Sequence, residues 1–171
     1  ANFVNVQIGD IDSDLPKYYR TLLSDIFGPH LNIFESDRGQ NAERQDASVG
    51  VRFASTQIIR FLETNGLRKA RAHELAIPPS IKASEPPVRA AFLRGLFEAD
   101  GHIDNGYPLL STVSETLARD TQRLLLSLGI PSKLRCQTNR DNALGKHPIF
   151  LLRVISGEGV RRFSNTVNFI S

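Results

Sequence analysis

The sequence predicts an α+β fold built from two copies of one strand–helix–strand–strand–helix unit. Three observations point to it. Some short stretches alternate apolar and polar residues, as half-buried strands do. Others repeat apolar residues at helical spacing between a Ser or Asp cap and a glycine stop. The order of these stretches then recurs, with Phe61 and Phe163 lying 102 positions apart and Leu31 and Leu134 lying 103 apart.

In the first unit, Phe3 to Ile8 alternates as a strand. Asp12, Ser13 and Asp14 offer caps for a helix through Leu15, Tyr18, Tyr19, Leu22, Leu23 and Ile26, which Gly28 ends. His30 to Asp37 and Ser48 to Ala54 read as paired strands around a polar loop, and Ser55 or Thr56 caps a helix through Ile58, Ile59 and Leu62 that ends near Gly66. In the second unit, Tyr107 to Thr112 is the strand, and Ser114 caps a helix carrying Leu117, Leu124, Leu125 and Leu128, stopped by Gly129. Lys133 to Asn139 and Ile149 to Ile155 form the strand pair, and Gly157 to Val167 the closing helix. We therefore divide the chain into halves 1–82 and 83–171, related by a pseudo-twofold.

Composition bounds the function without fixing it. The chain has 171 residues, 40% of them hydrophobic, enough for one domain or two small fused halves. A net charge of +3 is compatible with binding a phosphate backbone. One cysteine, Cys136, precludes an internal disulfide, and with four scattered histidines it argues against structural zinc. No apolar run reaches membrane-spanning length, so the expected setting is intracellular with no membrane partner: cytoplasm or nucleoid, or an organelle for an organellar gene. A start at Ala1 and the lack of any Met suggest an excised or processed segment.

The second unit opens with a segment the first lacks, a helix predicted over 87–101. Prolines suit its first turn, and Ala91, Gly95 and Ala99 form a stripe almost free of side chains, along which another backbone can approach closely. Phe92, Leu93, Leu96 and Phe97 flank the stripe as core. Glu98 and Asp100 fall in the last turn, where the helix dipole disfavours negative charge, and Gly101 follows as the cap. Carboxylates set against the dipole on a closely paired helix suggest a site for a hard cation, Mg2+ or Ca2+. Shifted back by about 102 positions, the counterpart of this segment falls just before Ala1, so the first motif helix is expected to be absent from this chain.

Leu93-Arg94-Gly95-Leu96-Phe97-Glu98-Ala99-Asp100-Gly101 resembles the LAGLIDADG motif at Leu93, Gly95, Leu96, Ala99, Asp100 and Gly101. Ile77-Pro78-Pro79 and Leu128-Gly129-Ile130-Pro131 look like the intein-encoded (dodecapeptide) branch of the LAGLIDADG homing endonucleases. The resemblance covers essentially the whole chain. It implies the homing endonuclease fold, with two pseudo-symmetric αββαββα-type halves forming a DNA-binding β-saddle. It also implies a site-specific, metal-dependent enzyme that hydrolyses both strands of duplex DNA at a long recognition site. Mg2+ is the implied cofactor, with Ca2+ or Mn2+ able to take its place. Asp100 is then a catalytic acid and metal ligand, with the backbone carbonyl of Ala99 beside it; Glu98 is structural or solvent-facing. Lys69, after Gly66-Leu67-Arg68, is the basic residue expected to assist the attacking water. An EF-hand reading of Asp100, His102 and Asp104 fails, because Asn105 stands where a Gly is required and Ser111 where a Glu is.

A two-stranded ribbon fits the major groove and turns every second side chain to the bases. The candidate DNA contacts are Asn5, Gln7, Arg38 and Arg52 in the first unit, and Arg135, Gln137, Asn139, Arg140 and Arg153 in the second. Two other readings stay open: a non-cleaving DNA-binding regulator of the same fold, WhiA-like, and an RNA maturase. The expected partners are double-stranded DNA and either the missing motif helix or a second copy of the chain. With one acid visible, this chain by itself is expected to cut poorly.

Overall fold

The computed structural model describes residues 4–9, 15–28, 30–38, 48–67, 70–138 and 147–169. The chain divides into two compact units between Asn65 and Gly66.

The first unit runs β1 (Val4–Gly9), α1 (Leu15–Phe27), β2 (Ile33–Arg38), β3 (Ser48–Phe53) and α2 (Thr56–Thr64). Its strands form an antiparallel sheet in the order β1-β3-β2. Alternation along β3 buries Val51 and Phe53 and leaves Arg52 half-buried on the opposite face. Ser55 caps α2, its hydroxyl accepting from the Ile58 amide at 3.3 Å.

The second unit contains a short 3-10 turn (Ala72–Glu74), α3 (Pro79–Lys82), α4 (Pro86–Asp100), β4 (Gly101–Asp104), β5 (Tyr107–Thr112), α5 (Glu115–Ser127), β6 (Ser132–Gln137), β7 (Ile149–Val154) and α6 (Gly157–Thr166). Its sheet order is β4-β5-β7-β6, all antiparallel. One sheet face packs on the helices: Leu110 and Leu152, paired across β5 and β7, join Leu93 and Phe97 of α4, Leu124 and Leu125 of α5 and Phe163 of α6 in a closed core. Each such large side chain taken wholly out of water contributes about 1.5–3 kcal/mol before entropy is subtracted. Phe97 and Phe163 meet edge to face at 4.8 Å.

The two units repeat one plan, since β5-β7-β6 has the order of β1-β3-β2. The ladder from Ile33–Phe53 to Arg38–Ser48 matches that from Ser132–Val154 to Gln137–Ile149. Ser156 caps α6 through the Gly159 amide as Ser55 caps α2, and the two serines are 101 positions apart. This register sets Leu31 against Ile130, in the turn before β6. Leu134, its partner by spacing alone, lies inside that strand.

Three features differ from the sequence expectation. The division falls at Asn65/Gly66 and not at 82/83, because Leu75, Ile77 and Ile81 pack into the second unit's core and the Ser114 hydroxyl donates to the Leu75 carbonyl at 2.6 Å. An extra strand, β4, follows α4 at once and turns through Asn105-Gly106, both at positive φ, which is the two-residue turn that suits a twisted hairpin. Gly101 does end α4, but with extended backbone (φ −97°, ψ 168°) and not a left-handed cap. It must be glycine for a steric reason: a Cβ there would sit 2.5 Å from the Phe97 carbonyl oxygen.

Candidate active site and nucleic-acid interface

Helix α4 presents two unlike faces. Ala90, Leu93 and Phe97 are buried, with Phe92 and Leu96 half-buried against the same core. Ala91, Gly95 and Ala99 are exposed, and a Cβ at Gly95 would meet nothing within 4 Å. The stripe is therefore uncovered. Asp100 closes the helix, exposed like Ala99, with Glu98 half-buried beside them. At a helix C-terminus the surrounding carbonyls are negative, so a carboxylate there gains from any cation it can hold. Among the described residues, no three His, Cys, Asp or Glu side chains gather into a metal cluster. Asp100 and the Ala99 carbonyl thus fit part of a hard-cation shell, and the remaining oxygens have to come from elsewhere.

The motif's Arg94 has a defined position. Its Nε donates to the Val167 carbonyl at 2.6 Å, tying α4 to the end of α6, where Phe169 completes an aromatic cluster with Phe97 and Phe163.

The candidate DNA contacts distribute unevenly. Arg135 and Gln137 are exposed on β6, two residues apart and so on one face, and Lys133 extends the row. That face is the one turned away from the helices, because Leu134 on the intervening position packs on the core with Leu152. His102 on β4 pairs with Leu109, so it belongs to the same face; sequence reasoning passed over both His102 and Lys133. Arg153 also lies there, but its guanidinium is engaged within the unit. It pairs with the Asp104 carboxylate at 3.0 Å, donates to the Asp104 carbonyl at 3.2 Å, and sits 4.7 Å over the Tyr107 ring. In the first unit Asn5 stands opposite Arg52 and Gln7 opposite Gly50, while Arg38 ends β2 opposite Ser48. Lys69, Asn139 and Arg140 lie outside the described residues.

A helix of this composition beside a polar-faced antiparallel sheet defines an α+β class that comparison with known proteins identifies. Residues 87–168 match the family model of the LAGLIDADG-like domain. The chain has the fold of the homing endonuclease I-DmoI in complex with DNA and Mn, at a TM-score of 0.66 and 15% identity, covering 97% of this chain and 80% of that one. It also resembles the N-terminal LAGLIDADG domain of DUF199/WhiA, at a TM-score of 0.53 and 11% identity, over 98% and 71% of the two chains. Residues 87–168 therefore carry a LAGLIDADG-like domain, and the chain has the LAGLIDADG homing endonuclease fold. Among sequence relatives, the replication factor C small subunit of Methanocaldococcus jannaschii is 30% identical over 138 residues, 80% of this chain but 7% of that protein. An A-type ATP synthase subunit of Methanopyrus kandleri is 36% identical over 86 residues, 50% of this chain and 8% of its own length. The chain thus spans a small part of each of these relatives.

Proposed function

We propose that this chain is the DNA-cutting module of a site-specific homing endonuclease, a metal-dependent hydrolase of duplex DNA. The observation that carries the reading is Asp100, an exposed carboxylate at the end of a motif helix whose small-residue stripe lies open to a second helix. Solved structures of the fold-related I-DmoI are complexes with DNA and Mn or Ca, or with target DNA in the presence of Mg, which supports both the partner and the class of ion.

In this reading Asp100 and the Ala99 carbonyl bind Mg2+, with Ca2+ or Mn2+ able to take its place. When bound there, the ion would supply charge neutralisation and a water activated for hydrolysis at phosphorus. Asp100 would be one of the groups that hold the ion, and Lys69 is the basic residue expected to assist the water. Arg135, Gln137 and Lys133 hold the duplex, with Asn5, Gln7, Arg38 and Arg52 as their counterparts on the first sheet and Asn139 and Arg140 as further contacts. A second acid comes from another motif helix, either upstream in a longer chain or on a second copy. Such a helix would also cover an apolar stripe in the first unit: Leu22 is 37% exposed and Ile26 61%, whereas the matching Leu124 on α5 is 4% exposed in a core it shares with α4.

The relatives support a mobile, intein-borne origin. Segments like this one lie within a replication factor subunit and an ATP synthase subunit, whose names share no activity, and they fill only 7% and 8% of those proteins. An inserted element accounts for that pattern better than a shared host function.

Cutting of a plasmid library in Mg2+, with the chain completed by a second motif helix, tests the reading. Asp100→Ala is expected to abolish cutting while duplex binding survives. Sequence-selective binding with no cutting under any divalent ion would select the regulator reading, which the WhiA-like fold match favours. Preference for folded intron RNA would select the maturase.

A further inference from the structure

The open face of the second sheet carries a pattern that polar alternation alone does not explain. Facing away from the core, its cross-strand rows read Leu109–Arg153–Lys133 and Ser111–Leu151–Arg135. A face meeting only water would be polar along its centre, and a face packed on another layer would be apolar throughout. This one is a mosaic: exposed cations stand on the edge strand β6, and leucines stand on the central strands. Leu109, Leu151 and Ile155 form the apolar part of a depression of about 300 Å³, with Lys133, Arg135 and the Arg153–Asp104 pair as its polar lining. The one central cation, Arg153, is held by Asp104 and Tyr107, so its charge is already partnered within the lining.

We infer that this depression reads thymine methyl groups in the major groove, with Leu151 as the specificity-determining contact and Arg135 taking a guanine next to it. The inference rests on the proposal that the chain binds duplex DNA. The flanking cations call for a polyanion, and the apolar feature that a polyanion offers at a groove floor is the thymine C5-methyl. RNA offers neither: uracil lacks the methyl, and the A-form major groove is too narrow to admit a sheet. Adjacent residues in a row are about 4.8 Å apart and base pairs about 3.4 Å, so Leu151 and Arg135 fall on neighbouring pairs. Arg135 supplies the bidentate donor for guanine O6 and N7, and Leu151 supplies dispersion and desolvation for the methyl.

The test uses the full chain and a duplex selected from a random pool. Each thymine in the bound site is replaced singly by uracil, which keeps every hydrogen bond and removes only the methyl. Uracil at one or two positions should weaken binding about fourfold each, the value of one buried methyl. Leu151→Ser should bring the thymine-to-uracil affinity ratio to unity, and Arg135→Ala should relax the adjacent guanine while leaving that ratio intact. The uracil comparison needs no variant, so it stands even where a substitution unfolds the sheet. Selective binding indifferent to every uracil would overturn the methyl contact and leave the DNA reading in place. No selective duplex binding at all would overturn the DNA reading and the methyl contact with it.

Discussion

The two glycines of the motif should respond to alanine in opposite directions. At Gly101 the new Cβ would lie 2.5 Å from the Phe97 carbonyl oxygen, 2.9 Å from Phe97 Cδ1 and 3.0 Å from Phe97 Cα. Ordinary carbon–oxygen contact needs about 3.3 Å, so the α4–β4 junction has to open by roughly 0.8 Å. The obstacle is backbone and a fully buried ring, neither of which can swing aside. Overpacking of this kind costs about 2–3 kcal/mol. At Gly95 nothing lies within 4 Å of the added methyl, and the residue is interior to α4. Alanine there removes the backbone entropy penalty of a helical glycine and should stabilise by about 0.5–1 kcal/mol. With about 2–4 °C per kcal/mol for a chain of this size, calorimetry should place Gly101→Ala well below the parent chain and Gly95→Ala slightly above it. Association with a second motif helix should reverse the Gly95 benefit, because the methyl then stands in the contact. A Gly101→Ala chain that melts with the parent, or a Gly95→Ala chain that melts below it, would refute the packing argument.

Two further perturbations follow from the charge pairs. Asp120, 3% exposed, accepts from Lys82 Nζ at 2.9 Å and from Arg123 Nη1 at 3.3 Å. Lys82→Ala strands a buried carboxylate on one weak partner and should cost about 3 kcal/mol, whereas Asp120→Ala frees a lysine that can turn to water and should cost only about 1–2 kcal/mol. Urea titrations giving equal or reversed costs would contradict this. On α6, hydrogen bonds from Arg162 and then Arg161 hold the Glu158 carboxyl below the ordinary glutamate range. A lowered folded-state pKa means the contribution is present above the unfolded value and lost as pH falls through the folded one. The stability gap between the parent chain and Glu158→Gln should therefore be full above the ordinary glutamate range and close as the pH falls below it, and a gap that widens on acidification would refute the assignment.

Much of the fold was legible because local chemistry and tertiary packing agree. Ser55 and Ser114 were readable as caps and do cap, the latter through the Leu117 amide at 3.1 Å. Gly129 was readable as a stop because only a positive φ lets the amides of Gly129 and Ile130 return to the carbonyls of Leu126 and Leu125. The two-sided character of α4 was legible for a similar reason: a small-residue stripe at i, i+4, i+8 cannot fill a core, so it had to face outward or meet another backbone.

What escaped the sequence are contacts fixed only in three dimensions. β4 is four residues long, too short to show a period, and its one clear signal was the Asn105-Gly106 turn. The fate of Arg153 was hidden for a deeper reason. Alternation assigns a residue to a face but says nothing of its neighbours on that face, and Asp104 and Tyr107 become neighbours of Arg153 only once β4 and β5 fold into a hairpin and β5 pairs with β7. An arginine that alternation alone marks as a base reader is thereby already partnered, while Leu151, which alternation marks as a misplaced apolar residue, becomes the informative one. On a wet sheet face, then, the side chains that violate the polar pattern carry more functional information than those that obey it. A solvated face tolerates polar residues without selection for any partner, whereas leucines gathered there among cations mark a surface that a partner of matching chemistry can cover.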